Sequence, residues 1–299
     1  MLTGPAWRKD AIVRLLLGVF VCIYAGSLAT SALAFKPTPT HPAGRFYLFF
    51  GLSIFCLGAS LYMLRRPWSV DDFLRRTTPV LVCFYLALAL GAMAQQLVGP
   101  VNPSVPQMLI AALSFQGAAL LLATVFLREH QVTWAVAFGL LERPRHAVLL
   151  GLGAAIAFVP LAWLLQLGSG LVLERLPFLP FGAEEQQAVR TLRDTTGMAR
   201  LTSMGLITIF LAPWGEEFLF RGVIYAGIQQ LGCRRAAWWL SSLLFAAVHL
   251  NAVTFIPLLA FSMILTWLYE RTGNLLAPIA AHSLFNALNF GLLLVNSNL

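Results

Sequence analysis

Glu216 and Glu217 stand side by side in the run Pro213-Trp214-Gly215-Glu216-Glu217-Phe218-Leu219-Phe220-Arg221-Gly222. The stretch around them, from Leu201 to Leu231, is otherwise largely apolar. An ionised side chain at the centre of a bilayer costs several kcal/mol, roughly 2.5–3.5 on insertion scales. Two carboxylates and a guanidinium held there point to a functional site. Two further apolar stretches carry polar groups at helical spacing: Phe245-Ala-Ala-Val-His249, and His282-Ser-Leu-Phe-Asn286. A paired Glu with two imidazoles and a carboxamide is hard to dismiss as packing, and ionisable groups of this kind in a span can take up or relay a proton.

Helical geometry separates the two carboxylates. At about 100° per residue, Glu217 and Arg221 are i,i+4 neighbours on one face. Glu216 is turned away from that face. Arg221 can therefore neutralise Glu217 and leave Glu216 to point elsewhere. A carboxylate in a poorly solvated cavity becomes more basic, which suits a general base or a shuttled proton. Pro213 and Gly215, just before the pair, predict a kink that opens room for water. Taken singly, either histidine reads as an interhelical hydrogen bond, Asn286 as glue between helices and Phe245 as packing. The combination is what marks a site.

These residues need membrane helices to position them. The chain has 299 residues, 59% hydrophobic and 11% charged, with mean hydropathy +0.79. Soluble domains carry about 25% charged residues. The fold class is therefore all-α, a polytopic transmembrane helical bundle. A bilayer crossing takes about 20 apolar residues, and stretches of that kind cover about nine spans: 11–34, 46–64, 79–98, 107–127, 147–172, 201–231, 236–250, 253–270 and 275–296. Eight remain if the first span is removed. Arg8-Lys9 before a run ending Ser31-Ala32-Leu33-Ala34-Phe35 resembles a cleavable signal, whereas Arg14 and the length of the run favour a retained anchor. Of the 12 acidic residues, only Glu216 and Glu217 lie deep in a span. The four cysteines show no spacing for a disulfide framework or a zinc knuckle.

The net charge of +8 reads as loop residues that orient the protein, and no nucleic-acid motif accompanies it. With the N-terminus inside, 12 Lys and Arg fall in cytoplasmic segments and 6 on the opposite side. A cytoplasmic N-terminus and an external C-terminus follow. The one sizeable polar loop, 173–200, contains a stretch from Ala183 to Thr195 that could lie at the interface as an amphipathic helix. Glu184 and Glu185 in it read as an exposed connector. Short loops and the lack of organellar signals suit a bacterial inner membrane.

In this order, Glu-Glu-x-x-x-Arg at 216–221, Phe-x-x-x-His at 245–249 and His-x-x-x-Asn at 282–286 resemble the motifs of the CPBP (Abi) family. These are CAAX-processing and bacteriocin-processing intramembrane proteases, also called type II CAAX endopeptidase-like. Tyr269-Glu-Arg-Thr-Gly-Asn-Leu-Leu-Ala-Pro-Ile-Ala-Ala-His282 also resembles the family's approach to its last motif. The likeness covers roughly residues 200–290. It divides the chain into N-terminal helices and a polar loop over 1–200 and a catalytic core over 201–296, in one structural domain.

The resemblance implies an intramembrane endopeptidase in which Glu216 activates the attacking water and His249 helps to hold it. His282 and Asn286 would stabilise the oxyanion, with Glu217 and Arg221 completing the site. The implied partners are membrane lipids and a protein or peptide substrate, which the family name allows to be prenylated. Metal stays open: Glu216, His249 and His282 could hold zinc with a position left for water. Asn286 and the lack of His-Glu-x-x-His favour a metal-free reaction and no cofactor. The alternatives are a non-catalytic membrane protein, either a transporter or proton relay, or the bacteriocin-immunity or scaffold role that the family name also covers. One tension concerns depth. His249 is 13 residues beyond Ala236 and His282 seven beyond Leu275, about 9 Å apart along straight parallel helices. For the imidazoles to meet, the 236–250 span has to start deeper or tilt.

Overall fold

The computed structural model describes residues 6–38, 43–64, 73–98, 104–175 and 197–297. The amphipathic helix expected over Ala183–Thr195 lies outside them. Among the described residues there is no strand, and the protein is an all-α polytopic bundle. Seven helices are long and apolar enough to cross a membrane. Two expected spans fall outside that set. Over 201–231 the helix changes its hydrogen-bonding pitch, and over 236–250 it has only 14 residues. That is about 21 Å, against a bilayer core of about 30 Å.

The chain divides into two compact units, Arg8–Phe126 and Leu127–Leu299 with the N-terminal residues through Trp7. The first is built on α1 (Lys9–Ala34), α2 (Ala43–Leu64), α3 (Phe73–Gln95) and α4 (Val105–Glu129), the last of which runs past the boundary. Its packing is close: a side chain at Gly26 would run into the Ser114 hydroxyl, and one at Gly91 into Tyr24. Polar side chains inside it are tied to carbonyls, as when Ser53 donates to Ala87 O and Tyr24 to Leu88 O.

The second unit holds every motif residue. The short α5 (Trp134–Ala137) precedes α6 (Pro144–Glu174). Next, α7 runs through Met198–Leu206, Ile207–Leu211, Ala212–Glu217, Phe218–Tyr225 and Ala226–Gln229, and its second and fourth pieces are wider π turns. Then come α8 (Arg234–Ala247), α9 (Ala252–Thr272) and α10 (Leu276–Ser297). The disturbance expected at Pro213 and Gly215 takes the form of π turns on both sides of them. Such turns are rare in helices and often mark functional sites.

Helices α6 and α10 run parallel and in register. Gly151 lies against Ala277, and Trp163 Nε1 donates to Asn289 Oδ1 at 3.1 Å. Small residues make the contact: Ala147, Gly151 and Ala155 on α6 face Ala277 and Ala281 on α10. Without a hydrophobic drive in lipid, close approach of small residues is what holds helices together. A Cβ built on Gly151 would run into Ala277 O, whereas one on Gly153 would meet nothing within 4 Å. Gly151→Ala should therefore lower stability in detergent by roughly 1–3 kcal/mol, the usual range for overpacking. Gly153→Ala should be neutral or stabilising, because alanine is the better helix former. Thermal unfolding of the two variants side by side checks this.

The turn from α9 to α10 is written into Thr272-Gly273-Asn274. Gly273 adopts the left-handed conformation (φ 64°), where a Cβ is penalised, and ends α9. Asn274 Oδ1 accepts from Leu276 N at 2.8 Å and caps α10. The turn is buried, with Asn274 Nδ2 donating to Glu142 O and Leu275 N to Phe138 O. Arg234 at the start of α8 pairs with Glu270 near the end of α9, at 2.7 Å. One end of this unit thus gathers Arg128, Arg143, Arg145, Arg234, Arg235 and Arg271, while the described basic residues at the other end are Arg175 and Arg200.

Candidate active site

The buried heart of the site is an ion pair that α7 makes with itself. Arg221 Nη1 sits astride the Glu217 carboxylate, 3.1 Å from Oε1 and 3.0 Å from Oε2. Both side chains have 0% exposure. The i,i+4 pairing anticipated from spacing is present. Across on α9, Ser262 completes it: Arg221 Nη2 donates to Ser262 O at 2.9 Å and to Ser262 Oγ at 2.7 Å. The guanidinium carbon also lies 4.8 Å over the Phe245 ring of α8. Buried charges persist when paired and hydrogen-bonded in this way.

His282, on α10, joins this network. Its Nδ1 lies 2.7 Å from Glu217 Oε1. A carboxylate oxygen can only accept, so Nδ1 carries the hydrogen and Nε2 faces the other way. Nε2 points toward Glu216, 4.0 Å from Oε2 and outside hydrogen-bond range. Glu216 Oε2 has no hydrogen-bond partner, and the side chain is 13% exposed. The division of labour between the carboxylates is therefore geometric. Glu217 is held between Arg221 and His282, its Oε2 in ion-pair contact with Arg221 at 3.0 Å though not hydrogen-bonded, while the nearest cation-forming group to Glu216 Oε2 is His282 at 4.0 Å.

His249 sits just past the end of α8. Its Nδ1 donates to Phe245 O at 2.7 Å, a carbonyl that the helix terminus leaves available. The ring is folded back along α8 against Phe245, with centroids 4.9 Å apart. Phe245 also touches His282, at 5.8 Å. The side chain reaches back toward its own helix's N-terminus, as helical side chains do. Neutral His249 then presents Nε2 as an acceptor. Asn286 donates through Nδ2 to Thr208 O at 2.8 Å, inside the first π turn of α7, which leaves its second amide hydrogen for other use. The second π turn is met from outside in a similar manner, where Trp7 Nε1 donates to Gly222 O at 2.9 Å.

The zinc reading required Glu216, His249 and His282 to form a ligand set. Among the described residues, no group of three or more His, Cys, Asp or Glu is arranged to hold a metal ion. Sequence spacing also missed Ser262 and Thr208. The signal for Ser262 was a polar stripe, Ser262 and Thr266, four apart in an otherwise apolar span.

With this geometry in view, comparison with known proteins is informative. Residues 199–288 match the family described as type II CAAX prenyl endopeptidase Rce1-like. The matched segment is about a third of the chain. It contains every residue of the three motifs, and it bears out the likeness read from them. The UPF0177 protein YxdF of Lactococcus lactis subsp. lactis (strain IL1403) is 31% identical over 96 residues, 32% of this chain and 52% of that protein. The uncharacterized protein YpbD of Bacillus subtilis (strain 168) is 38% identical over 85 residues, 27% of this chain and 40% of that protein. The chain thus spans about half or less of the curated relatives it matches. No solved structure matches it.

Proposed function

We propose that the protein is an intramembrane endopeptidase in which Glu216 activates a water against a peptide bond. The observation that carries this reading is the contrast between the two carboxylates. Glu217 is ion-paired with Arg221 at 3.0 Å and bonded to His282 at 2.7 Å, while Glu216 Oε2 has no hydrogen bond and faces the His282 imidazole at 4.0 Å. A general base needs such an oxygen. Glu216 takes the water's proton, and His249 accepts a hydrogen bond at Nε2 to orient that water. The second amide hydrogen of Asn286 is a neutral donor for the oxyanion. His282 donates from Nε2 only when doubly protonated, with the neighbouring carboxylates as its counter-charge. Glu217, Arg221 and Ser262 fix the ring of His282. The Rce1-like match supports a CAAX-protease-like activity at family level.

The substrate is a protein or peptide held by the bilayer, a prenylated chain being one such. We put the end of the unit that holds the gathered arginines in the cytoplasm, in a bacterial inner membrane, a reading that the excess of basic residues at that end supports. The reaction as written uses neither metal nor cofactor. Peptidomics of membranes carrying wild type or Glu216→Gln should show cleavage products that vanish, and uncleaved precursors that accumulate, in the variant. Identical peptide pools from properly inserted proteins would refute the enzyme reading and favour a proton relay or scaffold.

A further inference from the structure

The wide turn that follows the two carboxylates is held from outside α7 by residues far from it in sequence. It begins at Phe218, directly after Glu217, and is buried over most of its length to Tyr225. Such turns are rare in helices, so a stretch of this length calls for partners beyond the helix itself. One set is aromatic. Phe138 and Trp134 pack on Phe218, with ring centroids 5.6 and 5.3 Å away. Phe138 is anchored in turn, since its carbonyl accepts from Leu275 N at 3.0 Å. A Cβ on Gly222 would stand 2.8 Å from the Phe138 ring, so a glycine there allows the close approach.

The other partner is Trp7. The N-terminal residues through Trp7 belong to this unit, although α1, which follows them, belongs to the other. Trp7 is 6% exposed. Its ring lies edge-on to His130 at 5.1 Å and packs on Phe138 at 6.2 Å. Its backbone N–H donates to Gln230 Oε1 at 2.9 Å, just past the end of α7. Its indole N–H donates to Gly222 O at 2.9 Å, a buried bond inside the wide turn. A buried indole N–H needs an acceptor, and this one is main-chain oxygen of the helix that carries Glu216 and Glu217.

We propose that Trp7 is a positioning residue for the two carboxylates: its indole N–H holds the wide turn at Gly222, and the turn aims Glu217 at His282 and Glu216 away from it. This rests on the peptidase reading for what the carboxylates do. It adds to the site a residue outside the family match at 199–288. Trp7 acts through the backbone of α7 and not on the substrate.

Trp7→Phe in the full chain keeps a ring against Phe138 and His130 and removes the donor. Benzothienylalanine at position 7 keeps the indole's shape with sulfur in place of the N–H, and it serves if Trp7→Phe does not fold. The first readout is the NMR spectrum of the histidine ring nitrogens in detergent, with His282→Gln identifying the His282 signals. The expected result is a shifted His282 Nδ1 signal, because its Glu217 acceptor has moved. The unfolding midpoint should stay within about 4 °C of wild type, as suits the loss of one hydrogen bond. The second readout is peptidomics, in which the products that Glu216→Gln abolishes should fall about tenfold, a size one hydrogen bond can account for. Unchanged His282 signals in a folded protein without the N–H overturn the proposal, as do undiminished products beside shifted signals. Loss of cooperative unfolding with both replacements also overturns it, since Trp7 would then be a general prop. If wild type yields no Glu216-dependent products, the peptidase reading falls, while the His282 signals still decide whether Trp7 sets the carboxylates.

Discussion

Glu216→Gln should abolish cleavage and leave thermal unfolding in detergent unchanged, whereas Glu217→Gln should lower both. The asymmetry follows from partners. Glu216 has an oxygen that nothing in the fold engages, so its loss removes a proton acceptor and little else. Glu217 is fully buried between Arg221 and His282. Its neutralisation strands a guanidinium out of water and frees the His282 ring. Breaking a buried pair from one side costs about 3–5 kcal/mol. Unfolding curves and cleavage assays on both variants decide the matter, and equal stability losses would contradict the assignment.

Arg221→Met should destabilise by a similar 3–5 kcal/mol, because Glu217 is then left charged with His282 alone. The double variant Glu217→Gln, Arg221→Met should recover most of that loss. Replacing both members of a buried pair is often neutral, while removing one is not. Activity should not return with stability, since His282 has lost the oxygen that fixes its Nδ1 hydrogen. A double-mutant cycle measures the coupling. Additive losses would show that the two side chains do not act as a pair.

Much of this was legible in the sequence because helices convert spacing into direction. The Glu217–Arg221 pair follows from i,i+4, and the separate facing of Glu216 from one residue's rotation. Polar groups in apolar runs identified His249, His282 and Asn286, because lipid makes such groups expensive. The bond from His282 to Glu217 was not legible, since it joins α10 to α7 and no spacing along the chain encodes it. Ser262 and Thr208 escaped for the same reason: one offers a hydroxyl and both a carbonyl to a partner on another helix. The π turns of α7 escaped because pitch is decided by what docks against the helix, here Asn286 and Trp7.

The π turns also mean that α7 keeps time as well as position. A turn that closes on the fifth residue rather than the fourth holds an extra residue, and everything before it is out of phase by about 100°. Removing Phe218, Leu219 or Phe220 would restore the common pitch without deleting a single motif side chain. Glu216 and Glu217 would then swing around the axis relative to the half of α7 that Trp7 grips at Gly222. In a loop, one residue more or less changes closure entropy only slightly. Within this helix the number of residues between two points is itself part of the site.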